Sequence, residues 1–302
     1  MLKTIKDGRL WLVTQPDHGQ VAGYLAAHWG GHGGFTRPGH FGGADPERLR
    51  AETIFAIAQH DNGWWEWEAA PDLSAEDGMP LGLAEVLQDQ AAGRSRWRNG
   101  LSRFKDAAYA NLLMSRHAYW LYALRALPDP DPAFTHPLFW KGSPEKLYPG
   151  SQEEPLKFIA ELEQLQAQWT QALRADRKTA TWVDPENLQP HERLIQLCDG
   201  LSLALSSAVI QARTGETRGL GADAFALHDV PRSGWQDRVT IEVTPRGQGR
   251  IELDPYPFDL DPLPVLVPAR VIPLPAAKPE HFQTWWQSLL PQKIEFQLMS
   301  RR

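Results

Sequence analysis

The chain has 302 residues, 31 Lys plus Arg against 37 Asp plus Glu, a formal net charge of −6 and 42% apolar content. That length supports one large domain or two modest ones with a real core, and the composition excludes wholesale disorder. The single cysteine, Cys198, excludes an internal disulfide framework and a thiolate zinc site. No apolar run approaches the roughly 20 residues of a membrane span, and the acidic balance is the reverse of a nucleic-acid binder's. The first residues lack the apolar core of a signal peptide, so the expected address is a reducing cytoplasm.

Short apolar runs at Lys3–Ile5 and Leu10–Thr14 around Asp7-Gly8 predict a hairpin. Pro16-Asp17 opens a helix expected from Asp17 to Trp29, and Gly30, Gly31, Gly33 and Gly34 end it in a glycine-rich loop that runs to Ala44. Asp45 as N-cap and Pro46 as first helical residue start a second helix, expected to run to Asp61 and stop at Asn62-Gly63. A loop to about Leu83 precedes one or two helices over 84–127, with a break expected near Asn99-Gly100. Pro128 to Pro149 reads as a proline-rich connection. Phe158, Leu162, Leu165, Trp169 and Leu173 recur at helical spacing within 153–176. Residues 189–212 form another helix, apolar on most sides and so expected at the centre. Beyond Pro231 the pattern alternates at Val239, Ile241 and Val243, then at Ile251 and Leu253, then along Leu263–Leu274. A short helix near 279–290 and a strand at Ile294–Leu298 follow. The expected fold class is mainly α. A helical body, residues 1–230 with the N-terminal hairpin, carries a small β-rich C-terminal elaboration at 231–302, and the hairpin is a candidate member of its sheet.

His60-Asp61 project from the buried side of the second helix at its end, and an adjacent imidazole and carboxylate can share one divalent ion or bridge two. His18, Val21, Leu25 and His28 share one face of the first helix. His18 and His28 lie about 15 Å apart along the axis, so one straight helix cannot bring both to one ion. Asp199 sits inside the apolar run Leu194–Leu205, where a carboxylate needs either an ion-pair or capping partner or a metal.

The ordered set His18, His60-Asp61, Asp199 resembles the HD metal-dependent hydrolase superfamily. Its first motif resembles His18-Gly-Gln-Val-Ala, its second Ala58-Gln-His-Asp-Asn-Gly, and its last Leu197-Cys-Asp-Gly-Leu-Ser. The whole chain is also similar to the domain of unknown function 3891 family, through Thr14-Gln-Pro-Asp-His, Ala27-His-Trp-Gly, Gln59-His-Asp-Asn-Gly-Trp, Leu197-Cys-Asp-Gly-Leu-Ser-Leu and Asp254-Pro-Tyr-Pro-Phe. The superfamily likeness implies an HD-like helical domain with His18, His60, Asp61 and Asp199 as metal ligands, and it selects His18 over His28. His117 resembles the extra histidines of some HD enzymes, which serve a second metal or the substrate; a hydrogen-bonded core histidine is the other reading.

Trp64, Trp65 and Trp67 follow the doublet and either wall a substrate pocket or pin a loop to the core, with Glu66 or Glu68 as a proton shuttle in the first case. His28 is assigned to the pocket's surroundings or to the core. The basic stretch Arg94, Arg96, Arg98, Arg103, Lys105 reads as a solvated helix face. Arg116, beside His117, is the exception, a candidate for the phosphate or the leaving group. The resulting expectation is a metal-dependent hydrolase acting on a small phosphate ester or nucleotide. One or two divalent ions (Mn, Fe, Co, Ni, Zn or Mg) are its cofactor, a small molecule its substrate, and Asp61, His117, Arg116 and Glu66 its catalytic groups. An HD-type di-iron oxygenase and a non-catalytic ligand-binding protein are the alternatives.

Overall fold

The structure, a computed structural model, describes residues 1–138, 153–207, 218–274, 276 and 279–301. Asp7 and Gly8 both take positive φ, 52° and 67°, the conformation a two-residue hairpin turn needs. They join β1 (Leu2–Lys6) to β2 (Arg9–Val13) as expected. Thr14 then caps α1 (Gln15–Ala27): its hydroxyl accepts the Asp17 N–H and donates to the Asp17 carboxylate. The second helix, α2 (Pro46–Ala58), begins where Asp45 and Pro46 predict, but Asp45 is left-handed at φ 48° and its side chain makes no cap. The helix stops before His60 and Asp61, which lie in the turn leading to a short 3-10 segment at Asn62–Trp64.

One short helix, α3 (Trp65–Ala69), interrupts the expected loop, and another, α4 (Leu83–Val86), opens the helical stretch expected over 84–127. The break in 84–127 falls after Arg103, between α5 (Gln90–Arg103) and α6 (Ala108–Ala126). Asn99-Gly100 stays helical, and Gly100 packs against the Asn62 side chain and the Gly63 backbone, where a Cβ would come within 2.8 Å of Asn62 Oδ1 and 3.1 Å of Gly63 N. Asn111 stabilises the real break by donating to Phe104 O at 2.7 Å. Of the expected proline-rich connection, residues 139–149 lie outside the described residues. The amphipathic α7 (Glu153–Ala175) is as expected. The central helix, α8 (Pro185–Ser206), starts earlier than expected because Pro185 opens it and Pro190 is carried inside it. It is buried throughout from Pro190 to Ser206, and residues 208–212 lie outside the described residues.

The mainly α expectation is overturned: strands form 22% of the chain against 47% helix, and seven of them make one curled sheet, an α/β fold. The additional strand, β3 (Phe225–Gly234), hides from pattern reading because Asp229, at φ 53°, sits in a register shift that sets Leu227 and Val230 inward three residues apart. Beyond it come β4 (Asp237–Gly247), β5 (Arg250–Asp254), β6 (Leu263–Pro273), α9 (Phe282–Ser288) and β7 (Gln292–Ser300). The strand order is β1-β2-β6-β7-β5-β4-β3, antiparallel except for β5 beside β7. The prolines of β6 fit because its first half pairs only with β7 and its end pairs with β2, leaving Pro264 and Pro268 an open edge for the missing N–H.

One hydrophobic core joins sheet and helices. Val265, Val267 and Leu298 of the sheet belong to the same buried cluster as Leu25 of α1 and Leu201 of α8. No helix among the described residues is long and apolar enough to cross a membrane.

Helix α1 approaches α2 closely at Gly23. A Cβ at Gly23 would come within 2.5 Å of Ala58 Cβ and 2.9 Å of its Cα. Gly23→Ala should therefore destabilise the fold by about 1–3 kcal/mol, despite a helix-propensity gain of up to about 1 kcal/mol. In α5, a Cβ at Gly93 would meet only Tyr122 Oη, at 3.6 Å, so Gly93→Ala should be neutral or stabilising. Urea unfolding of both variants checks this contrast; a neutral Gly23→Ala would contradict the close approach.

Candidate metal centre

Three separate pieces of chain meet beneath α1. The Thr14 cap starts α1 so that His18 falls in its first full turn, and Gly19 and Gly23 let that turn lie on the end of α2. A Cβ at Gly19 would stand 3.1 Å from Ala58 O. The His60-Asp61 turn is clamped from the other side by α5, since a Cβ at Gly63 would come within 2.1 Å of Arg96 O. Asp199 enters from the middle of α8, 3% exposed.

The hydrogen bonds fix which ring nitrogens carry protons. Ser202 Oγ donates to Asp199 O at 2.8 Å, so it accepts from His18 Nδ1 at 3.0 Å. His60 Nδ1 donates to Ile57 O at 2.8 Å. Both imidazoles therefore turn the lone pair of Nε2 inward, the arrangement by which a second hydrogen bond orients a metal-ligating histidine. His18 Nε2 faces Asp61 Oδ2 at 3.0 Å, and His60 Nε2 faces Asp199 Oδ1 at 3.3 Å. His60 Nε2 and Asp199 Oδ1 are buried and have no hydrogen-bond partner. Ligand atoms of His18, His60 and Asp199 lie within 4.8 Å of one another. Four acceptors converging out of water repel one another unless a proton or a cation lies among them. The donor set of His18, His60 and Asp199 fits a divalent ion, and Asp61 Oδ2 stands at its edge, 3.0 Å from His18 Nε2 and 3.8 Å from His60 Nε2.

Two further histidines meet the other oxygen of Asp199. His117 Nε2 lies 3.4 Å from Oδ2, and its Nδ1 is buried without a hydrogen bond. His136 lies 3.0 Å from the same oxygen and was not anticipated, since it sits in a proline-rich stretch with no helical period. Leu138 N–H donates to His136 Nδ1, so Nε2 carries the proton and donates to Asp199. His136 thus orients the carboxylate. Its approach depends on Gly200, where a Cβ would strike Pro137 Cγ at 2.5 Å, and on Arg193, which donates to Thr135 O at 2.6 Å.

Burial disfavours charge on His60, Asp61, His136 and Asp199, but the charges answer one another. Burial works against protonation of His60, yet the Asp61 and Asp199 carboxylates outweigh it and raise its pKa to about 9. Burial likewise opposes ionisation of Asp199, but His60, His117 and His136 hold it well below the carboxylate range. Asp61 is lowered against burial by His60 and His18. His136 is pushed down to about 4 by burial, which its Asp199 partner only partly offsets.

The cluster opens on a cavity of about 90 Å³ lined by Gln15, Trp64, Arg96, Trp97 and Tyr122, with His117 at the end beside Asp199 and leucines between. Trp64 is the one member of the expected tryptophan wall that lines it. Trp65 is 39% exposed and lies against Phe104, and Trp67 donates to Asp72 while packing edge-on to Trp64. Glu66 points to the surface and pairs with Arg103 at 2.8 Å. Glu68, the other shuttle candidate, is buried and accepts the Gln15 N–H at 3.0 Å. Arg116 pairs with buried Glu192 at 3.6 Å and faces a groove against α7. His28 caps the far end of α1 and bonds Asp259 at 2.8 Å. The structure places Glu66, Arg116, His28, Trp65 and Trp67 outside the cavity lining. Arg96 and Trp97, hidden in a basic run, line it.

The chain belongs to the family described as protein of unknown function (DUF3891), whose model matches residues 1–274. No curated protein and no solved structure matches it.

Because the folded pKa of His60 lies above its ordinary value of 6.5, its contribution to stability is complete below pH 6.5 and is lost as pH rises through about 9. In the presence of a chelator, the thermal midpoint should fall across that window. An added divalent ion replaces the proton and should remove the fall. Identical pH profiles with and without chelator would contradict the shared-site geometry.

Proposed function

We propose that the protein is a metal-dependent hydrolase of the HD type acting on a small phosphate ester. What carries the reading is the pair of inward lone pairs, His18 Nε2 and His60 Nε2, set against Asp61 Oδ2 and Asp199 Oδ1 in a buried cavity with an arginine in its wall. His18, His60, Asp61 and Asp199 would hold the ion, with Mn, Fe, Co, Ni, Zn and Mg as the candidates. When bound, the ion supplies a Lewis acid that polarises a phosphoryl oxygen and makes water acidic at neutral pH. Ser202 and Ile57 O orient the two imidazoles, and His136 orients Asp199. Asp61, 12% exposed at its side chain and the most accessible acid of the set, is placed to take a proton from an attacking water. His117, with its free Nδ1, is placed to give one to a leaving oxygen.

His117 favours a second reading. An imidazole against the outer oxygen of Asp199 suits a two-ion centre, as in di-iron HD-type oxygenases. Iron content and an optical band of freshly purified protein separate the two.

The test combines elemental analysis with hydrolysis of a panel of phosphomonoesters by wild type, His60→Ala and Asp199→Ala. Wild type should carry at least one divalent ion per chain. Both variants should lose it, and activity should fall by about 1,000-fold or more. Equal metal content in all three rejects the ligand assignment. Substoichiometric metal in gently purified wild type favours a non-catalytic binding protein.

A further inference from the structure

The wall of the cavity contains a charged group that the described residues leave partly unsatisfied. Arg96 lines the cavity, and its Nη1 is buried without a hydrogen-bond partner. Its guanidinium lies over the Trp64 ring, 4.4 Å from the centroid, and 5.6 Å from that of Trp67. The stack holds the planar fork in place at a site where an exposed arginine would be free to swing. The same residue is tied to the acceptor cluster through the backbone: Gly63, two residues after Asp61, packs against the Arg96 carbonyl so closely that no Cβ fits. Fork and cluster are therefore set at a fixed separation by one helix-to-turn contact.

An unmet, buried guanidinium N–H is costly, and an anion that reaches it recovers that cost. The rest of the wall is apolar, with Leu83, Leu87, Leu121 and Leu203, and only Gln15 and Tyr122 add uncharged polar side chains apart from the indoles. Such a wall has little with which to read the hydroxyls of a sugar or the edge of a base. Resting on the hydrolase reading above, we propose that Arg96 is the anion-binding residue of the cavity. Its ligand is a phosphomonoester with a small apolar body, in preference to a nucleotide. One fork of Arg96 grips phosphate oxygens, and the leucines and Trp97 take the organic group.

Calorimetric titration of the full chain, metal added, tests this with inorganic phosphate, phenyl phosphate, adenosine monophosphate and benzoate as probes. Wild type should bind phenyl phosphate more tightly than the other three. Arg96→Gln should keep the wild-type metal content and bind phosphate and phenyl phosphate about 10- to 100-fold more weakly. Arg96→Lys, which keeps a cation but loses the fork, should fall between them, and it serves as the variant should glutamine unfold the protein. Unchanged phosphate affinity in the two variants overturns the assignment to Arg96. A preference for benzoate or adenosine monophosphate overturns the ligand class. Metal content reports on the hydrolase reading separately. Wild type without metal but with Arg96-dependent phosphate binding would sink the hydrolase and leave the anion site standing.

Discussion

Lone pairs that point at one another in the dry interior of a protein need positive charge between them. Here two imidazoles donate their Nδ1 protons outward, to Ser202 and to Ile57 O, and present bare Nε2 atoms to two carboxylates. In the absence of a cation, His60 takes up a proton and its pKa rises to about 9. A divalent ion answers the same electrostatic demand with two charges in place of one. The cluster is costly in either state, and the surrounding fold is arranged to tolerate it.

That arrangement rests on close backbone approaches. Gly19 and Gly23 seat α1 on the end of α2, Gly63 seats the doublet's turn on α5, and Gly200 admits Pro137 so that His136 reaches Asp199. Gly19, Gly63 and Gly200 stand one or two residues from a cluster member, and Gly23 lies one helical turn beyond Gly19. The three chain segments that bear the cluster are thus locked together by backbone contact, which holds its side chains in one arrangement. Arg193 extends the lock to the sheet, donating to Thr135 O and, from the same guanidinium, to His228 O of β3. The curled sheet closes the far side of the core and so fixes α1 and α8 from behind.

Much of this was readable in the residues. The hairpin turn, the starts of α1 and α2 and the amphipathic α7 follow from Asp7-Gly8, Thr14 to Asp17, Asp45-Pro46 and the leucine stripe. The structure brings ligand atoms of His18, His60 and Asp199 within 4.8 Å of one another, with Asp61 beside His18. What escaped was non-local or irregular. The bulge at Asp229 breaks the alternation of β3, so sequence pattern alone gives the sheet too little weight against the helices. His136 had no periodicity to place it, and only the packing of Pro137 on Gly200 carries it inward. Arg96 is indistinguishable by pattern from the other arginines of its run because its distinction is the Trp64 ring beneath it, 32 positions earlier in the chain. Glu66, Arg116 and His28 looked chemical by adjacency in sequence, yet each turns to a partner elsewhere: Arg103, Glu192 and Asp259.

The most direct measurement is anomalous diffraction at the absorption edges of the first-row metals, on crystals grown from protein that has never met a chelator. An anomalous peak bounded by the side chains of His18, His60, Asp61 and Asp199 is expected. Ordered side chains in that same arrangement with no peak among them, or a metal bound elsewhere in the molecule, would contradict the ligand assignment.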